Sequence, residues 1–219
     1  MPKPTFFNLA EEKRKAILEI AIKEFAENDY QSASISRMVA RLGIAKGSFY
    51  QYFEDKRDLY FHLLDLVMQE RLAFMQQPST PDLHEGFFQY AQWLLEMGLR
   101  YDFAHPRLGQ ILYRALFGSG PFHDESLGQI KTSLLAYQRQ MLALGVSLGE
   151  IDPTLDLEVA AHLLNAIMTD FSGLIVTRLQ LDTERLKQGD YSQLDSPKLR
   201  ELSAEVIKIV QYGLAKRSG

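Results

Sequence analysis

The sequence of 219 residues contains no cysteine. That excludes a disulfide framework, a thiolate zinc site and a cysteine nucleophile. No uninterrupted apolar run approaches the roughly 18 residues a membrane helix needs, so nothing is expected to cross a membrane. The opening stretch MPKPTFFNLAEEKRK lacks the apolar centre of a secretory leader, and a cytoplasmic protein is expected. The P-loop and Gly-x-Gly-x-x-Gly are missing, and GSGPF matches neither of them, so no enzyme is expected. The five histidines (62, 84, 105, 123 and 162) never pair with one another at metal-ligand spacing. His62 and Asp65 are two possible ligands, which do not make a site, so neither metal nor cofactor is expected. One shortage is local: the net charge is −4, yet no acidic residue occurs between Tyr30 and Phe53.

Apolar residues make up 46% of the chain, enough for a sizeable core. Helical periodicity dominates, and no run of alternating β-branched residues stands out. Residues 10–28 place Ile17, Ile20, Ala21 and Phe25 on one face, with Asn28 and Asp29 suited to a left-handed end. Ser34 caps a short helix that Gly43 stops at Leu42, and another short helix follows over residues 45–52. Asp55 opens a long helix to about residue 77, with Asp58 completing a capping-box variant. Further helices are expected over residues 83–102, 106–117, 125–144, 156–181 and from Ser196, the last with Pro197 at its first position. The expected architecture is all-α with nine helices: three short ones, a long connector, then a five-helix bundle.

Two short helices joined by a turn containing Gly43 describe a helix-turn-helix. In the second, Phe49 and Phe53 can share the inward face with Ile44 nearby. Lys46, Gly47, Ser48, Tyr50 and Gln51 are then left outward. Lys and Gln reach base edges, Gly47 permits close backbone approach, and hydroxyls and free helix amides suit phosphate oxygens. Lys56 supplies a point charge for a flanking phosphate. Any Asp or Glu in this window would repel the duplex, which gives the missing carboxylates a reason. The residues expected at DNA are Ser34, Arg37, Ala45, Lys46, Gly47, Ser48, Tyr50, Gln51, Tyr52 and Lys56.

At these positions the chain resembles the TetR family of bacterial transcriptional regulators. The family pattern is an Ala-x-x-x-Phe pair, here Ala21 and Phe25, then a Gly-hydrophobic-small turn, here Gly43-Ile44-Ala45. It ends in Tyr-x-x-Phe-x-x-Lys-x-x-Leu, here Tyr50, Phe53, Lys56 and Leu59. The chain departs from the pattern at Asp29 (usually glycine), at Met38-Val39 (usually Ile-Ala) and at Leu42 (commonly alanine). The resemblance implies a DNA-binding domain over residues 1–55 and a ligand-binding and dimerisation domain over 56–219. It implies repression of an inverted-repeat operator in double-stranded DNA, relieved by a small effector, and a homodimer built on the last two helices. The alternative is a helical small-molecule-binding protein or enzyme without DNA binding.

The larger part is rich in aromatic and methionine residues, which suit a plain core or a pocket lining. Tyr and Trp tips need polar partners in a solid core, which favours a pocket. The expected ligand contacts are Trp93, Met97, Tyr101, Tyr113, Phe117, Tyr137, Met141, Asn165 and Thr169, for a small apolar or amphipathic molecule. His162, Asn165, Thr169 and Ser172 form a polar stripe that fits either a ligand or a helix–helix contact. Asp170, if buried, needs Arg178 or Arg114 as partner. Leu164, Phe171, Ile175, Leu202, Val206, Ile209 and Val210 are the expected dimer contacts.

Overall fold

The computed structural model describes residues 1–76, 80–117, 125–182, 185–186, 190 and 192–214, and among these no β-strand occurs. The α-helices are α1 (Pro4–Phe7), α2 (Glu11–Glu27), α3 (Ile35–Leu42), α4 (Lys46–Tyr52), α5 (Lys56–Met75), α6 (Phe87–Ala104), α7 (Pro106–Phe117), α8 (Glu125–Ser147), α9 (Leu157–Leu179) and α10 (Pro197–Leu214). The expected all-α fold is therefore observed, with one addition: the four-residue α1, too short to show a helical period.

Local signals set most boundaries. The Asp58 amide donates to Asp55 Oδ1 at 2.8 Å and the Glu54 amide to Asp58 Oδ2 at 3.0 Å, the reciprocal pattern expected at the start of α5. The Leu199 amide donates to Ser196 Oγ at 3.3 Å, so Ser196 caps α10 as expected. At the end of α2 the expectation fails, because Asn28 is extended (φ −124°) rather than left-handed. Its side-chain amide folds back to Glu24 O at 3.0 Å and closes the helix without the strained conformation.

The chain packs as two compact units. The first comprises Met1–Ala73 and His105–Leu127, the second Phe74–Ala104 and Gly128–Gly219. The sequence-based division at residue 55 separates roles; packing instead places nearly all of α5 and all of α7 with the N-terminal helices. In the first unit α2 packs on α3 and α7, α3 on α4, and α4 on α1. Its core is made by Ile17, Ala21, Phe25, Met38, Val39, Phe49, Phe53, Leu59, Leu63 and Leu64.

In the second unit α6 is central, as its nearly all-round apolar surface predicts, and packs on α9 and α10. A polar lock joins α6 to α10: the buried Ser203 hydroxyl and Gln92 Nε2 both donate to Glu96 Oε1. The Phe87 amide, at the start of α6, donates to Glu150 Oε1 at 3.0 Å. At Gly145 the α8 backbone lies close against Ile151 and Phe87. A methyl group there would lie 2.7 Å from Ile151 Cδ1 and 3.1 Å from Phe87 Cγ, and both of those side chains are fully buried. Overpacking of about 1–3 kcal/mol should outweigh the roughly 1 kcal/mol of helix propensity that alanine gains. Gly145→Ala should thus lower the urea midpoint; a raised midpoint would show that the pocket of Ile151 can yield.

Candidate nucleic-acid interface

The helix-turn-helix is assembled by local caps. Ser34 Oγ accepts from the Arg37 amide at 3.4 Å at the start of α3. Gly43 ends it in the left-handed conformation (φ 65°, ψ 28°), while the Ile44 amide reaches back to Val39 O at 3.1 Å. The turn delivers α4 with Phe49, Tyr52 and Phe53 buried and with Ala45, Lys46, Gly47, Tyr50 and Gln51 exposed. Ser48 is half-buried. No side chain caps the N-terminus of α4 at Ala45, and the Ser48 amide turns back to Ala45 O.

Between α2 and α3 lies a feature that periodicity did not reveal. Glu24, on α2, is fully buried, and its carboxylate collects four donors. Arg37 gives Nε at 2.8 Å and Nη2, the Ser34 amide gives a bond of 3.0 Å, and Arg41 Nη1 lies 3.2 Å from the second oxygen. Burial alone would push the Glu24 carboxyl up. The Arg37 and Ser34 hydrogen bonds and the charges of both arginines overcome that and hold it below the usual carboxylate range. The missing acids of residues 30–53 are thus supplied from outside that window, by α2.

The loop between α2 and α3 is held by cations in the same way. Lys56 Nζ donates to Tyr30 O (2.7 Å), Gln31 O (3.2 Å) and Ala33 O (2.9 Å), and sits 4.5 Å from the centre of the Tyr30 ring. Arg37 Nη2 donates to Ser32 O at 2.6 Å. From α7, Arg114 Nη1 donates to Phe25 O and Ala26 O, at 3.3 and 2.9 Å, and satisfies carbonyls at the end of α2.

Two expected DNA contacts are corrected by this geometry, and a third gains an internal partner. Lys56 has three ammonium protons and three loop carbonyls to receive them, so it is not a free charge for a phosphate; burial pushes its pKa down. Tyr52 is buried, with Lys13 Nζ 5.9 Å from its ring centre, and belongs to the support of α4 rather than its outward face. Arg37 is about half-exposed and engaged with Glu24. The signal that could have found this arrangement was Glu24 itself: an acid one residue before Phe25, on the buried side of α2, needs cations within reach.

In the second unit, Tyr101 and Met141 are buried, while Trp93, Met97, Asn165 and Thr169 are half-buried. Tyr90 and Tyr137 join hydroxyl to hydroxyl at 2.9 Å, and the Tyr90 ring lies 5.5 Å from that of Trp93. Burial first, then the bond to Tyr90, pushes the Tyr137 hydroxyl pKa up. Thr169 Oγ1 donates to Asn165 O at 2.7 Å, so its hydroxyl proton is used within α9. Tyr113 is exposed and belongs to the first unit, and the Phe117 side chain lies outside the described residues. Asp170 is exposed and needs no buried partner, and Arg114 is engaged at α2.

The expected dimer residues divide. Leu164, Phe171, Ile175 and Val210 are buried in their own unit, and Leu202 and Val206 pack against that core. Ile209 alone of the set is exposed, at 64%. The uncovered apolar stripe is instead Val159, Leu163 and Leu174 on α9, with Ile209 and Tyr212 on α10. Helix α9 is long and apolar enough by length and composition to cross a membrane, although only 28% of its most apolar window is buried. Polar residues interrupt it, so a search for unbroken apolar runs passes it over.

The α2–α4 helices, with the short polar face of α4 turned outward, form a helix-turn-helix of the kind found in transcriptional regulators. Residues 17–63 match the pattern of bacterial regulatory proteins of the tetR family, and residues 85–215 match the tetracyclin repressor-like C-terminal domain. A TetR family transcriptional regulator from Chloroflexus aurantiacus J-10-FL superposes with a TM-score of 0.81 at 40% identity, over 99% of this chain and 100% of that one. HTH-type transcriptional regulator SrpR of Pseudomonas putida is 25% identical over 92% of this chain and 94% of its own. FadR of Bacillus subtilis, solved with stearoyl-CoA, shares the fold at a TM-score of 0.66 and 17% identity, over 91% of this chain and 98% of that one. The chain belongs to the TetR family and is a DNA-binding transcriptional regulator.

Glu24 ties stability to pH. Its pKa is lower in the folded chain, so its contribution is complete above the unfolded value, about 4.3 for glutamate. It is lost as pH falls through the lower folded value. Urea midpoints should therefore hold from pH 7 to about 5 and fall below about 4. Glu24→Gln should cost about 1–3 kcal/mol at pH 7 and flatten the acid drop; the same acid slope in both proteins would acquit Glu24. Lys56→Met should lower both the melting temperature and operator affinity, leaving the slope of log affinity against log salt unchanged. A slope reduced by about 0.9 would return Lys56 to phosphate contact.

Proposed function

We propose that the protein is a repressor that binds an inverted-repeat operator as a homodimer and is released by a small, largely apolar or amphipathic ligand. The observation that carries the DNA-reading part is the outward face of α4. Lys46, Gly47, Tyr50 and Gln51 stand exposed on a short helix whose opposite side is anchored by Phe49, Tyr52 and Phe53. Lys46 and Gln51 read base edges in the major groove, Tyr50 and Ser48 take phosphate oxygens, and Ala45 and Gly47 admit close approach. Ser34 and Arg37, at the start of α3, lie against the backbone of the same half-site. Lys56 and Tyr52 support the helix from behind. The regulator acts in the cytoplasm, where its DNA is, and carries out no catalysis.

The uncovered apolar stripe supports the homodimer. Leu163 is 60% exposed, Ile209 64% and Tyr212 74%, a patch that a soluble chain covers with a partner. A second copy brings the same stripe and makes a self-complementary, two-fold contact. Two-fold symmetry in turn sets the recognition helices one DNA turn apart or a multiple of it, ~34–36 Å per turn.

The effector is held in the second unit among Trp93, Met97, Tyr137, Met141 and Asn165, beside the Tyr90–Tyr137 hydroxyl pair. Arg139 pairs with Glu158 at 3.1 Å on the surface, and among the described residues no cluster of cations joins the expected lining, which favours a ligand that is not strongly anionic. The acyl chain of the stearoyl-CoA solved with FadR supports an apolar chain here, whereas its polyanionic CoA head has no counterpart in the ligand proposed. Only His105 separates α6 from α7 in sequence, and within the first unit Arg114 of α7 holds the end of α2.

Anisotropy titration with the chain's own upstream DNA tests the reading. Gln51→Ala and Lys46→Ala should each relax preference at one operator position by about 1–3 kcal/mol. Leu163→Asp with Ile209→Asp should yield monomers by sedimentation and abolish operator binding. A ligand hit from a thermal-shift screen should lower operator affinity about 5- to 150-fold, and operator should weaken that ligand by the same factor. Hits indifferent to operator would refute ligand release, and a wild-type chain that binds no DNA would refute the whole reading.

A further inference from the structure

Residues 1–7 do something the recognition motif does not require. An α-helix leaves its last four carbonyls without intrahelical donors. In α4 these belong to Phe49, Tyr50, Gln51 and Tyr52, and each has a donor. The Phe53 amide takes Phe49 O at 3.0 Å. The other three are taken by the N-terminal arm: Lys3 Nζ donates to Tyr50 O at 2.8 Å, Thr5 Oγ1 to Gln51 O, and the Lys3 amide to Tyr52 O at 2.8 Å.

The arm itself is anchored. Pro4 starts α1 at a position where its missing N–H costs nothing. Phe6, 2% exposed, lies 4.9 Å from the Phe53 ring and 5.6 Å from His62. The Met1 ammonium meets Asp58, which also caps α5. The arm therefore ties the end of α4 to the start of α5.

We propose that residues 1–7 form a clamp that sets the recognition helix, with Lys3 and Thr5 as positioning residues for operator reading. Seven residues of helix are too few to hold their own conformation in water. The last turn of α4 carries Tyr50 and Gln51, whose side chains face outward and whose carbonyls the arm holds. Lys3 adds a positive charge at the negative end of the helix. Fixing that turn narrows the directions in which Tyr50 and Gln51 point, which raises affinity for the correct sequence more than for duplex DNA in general. The proposal rests on α4 as the recognition helix.

The test uses the full chain and four variants: Lys3→Met, Lys3→Arg, Thr5→Val and Thr5→Ser. Operator and an unrelated duplex of equal length are titrated across 50–200 mM salt, a range over which phosphate contacts show clearly. Lys3→Met and Thr5→Val should each lose about 3- to 10-fold in operator affinity, the range one hydrogen bond spans. Binding to the unrelated duplex, the salt slope and the melting temperature should stay as in wild type, and Lys3→Arg and Thr5→Ser should restore operator affinity. A salt slope lower by about 0.9 per half-site in Lys3→Met would make Lys3 a phosphate contact and overturn the clamp. So would unchanged operator affinity, or a parallel loss on both duplexes together with a lower melting temperature. Amide hydrogen exchange of Tyr52 and Phe53 needs no DNA: faster exchange in Lys3→Met and Thr5→Val supports the clamp, and unchanged exchange overturns it. Failure of wild type to bind any operator would count against the proposed function and leave that exchange result to decide the clamp.

Discussion

A carboxylate removed from water must be compensated by several close donors or it will not stay charged. Glu24 meets that requirement with two arginines and one backbone amide, all drawn from α3 and its cap. Because the donors come from one helix and the acceptor from another, the compensation also fixes the angle at which α3 leaves α2. The position of α4 follows, since Gly43 and the bond from Ile44 allow one path out of α3. The loop between α2 and α3 has no regular ladder of its own, so its carbonyls turn to Lys56 and Arg37. The frame of the helix-turn-helix is thus as much electrostatic as hydrophobic.

The second unit is organised differently. Its central helix is buried on almost every side, and its one prominent polar lock, Ser203 with Gln92 and Glu96, fixes α10 against α6. Helix α9 is apolar on two faces. One face feeds the core through Leu164, Phe171 and Ile175, while the other presents Val159, Leu163 and Leu174 outward.

That two-faced character explains where sequence reading succeeded and where it failed. Helices with one apolar stripe, such as α2, could be oriented from Ile17, Ala21 and Phe25 alone. Caps written within three or four residues, at Ser34, Gly43, Asp55 and Ser196, were equally legible. On α9 the period could not tell the inner stripe from the outer, so Leu164, Phe171 and Ile175, expected at a dimer contact, belong to the core instead. Long cations were the other blind spot. Lys56 and Arg114 reach carbonyls 23 to 89 residues away in sequence, and no local pattern encodes such a partner. Tyr52 was misread because Tyr50 and Tyr52 look alike in a motif, while helical geometry turns them some 200° apart.

The internal use of these cations has a consequence for how the regulator finds its site. Positive charges counted along the chain near the motif are largely engaged: Arg37 and Arg41 share Glu24, and Lys56 serves the loop. Retention on arbitrary DNA depends on cations that replace condensed counterions. A surface with few such cations slides only short distances before it lets go, and it samples the chromosome mainly by repeated free diffusion. Flanking DNA then adds little to operator occupancy, and the residence time on the operator itself is a quantity an effector can shorten.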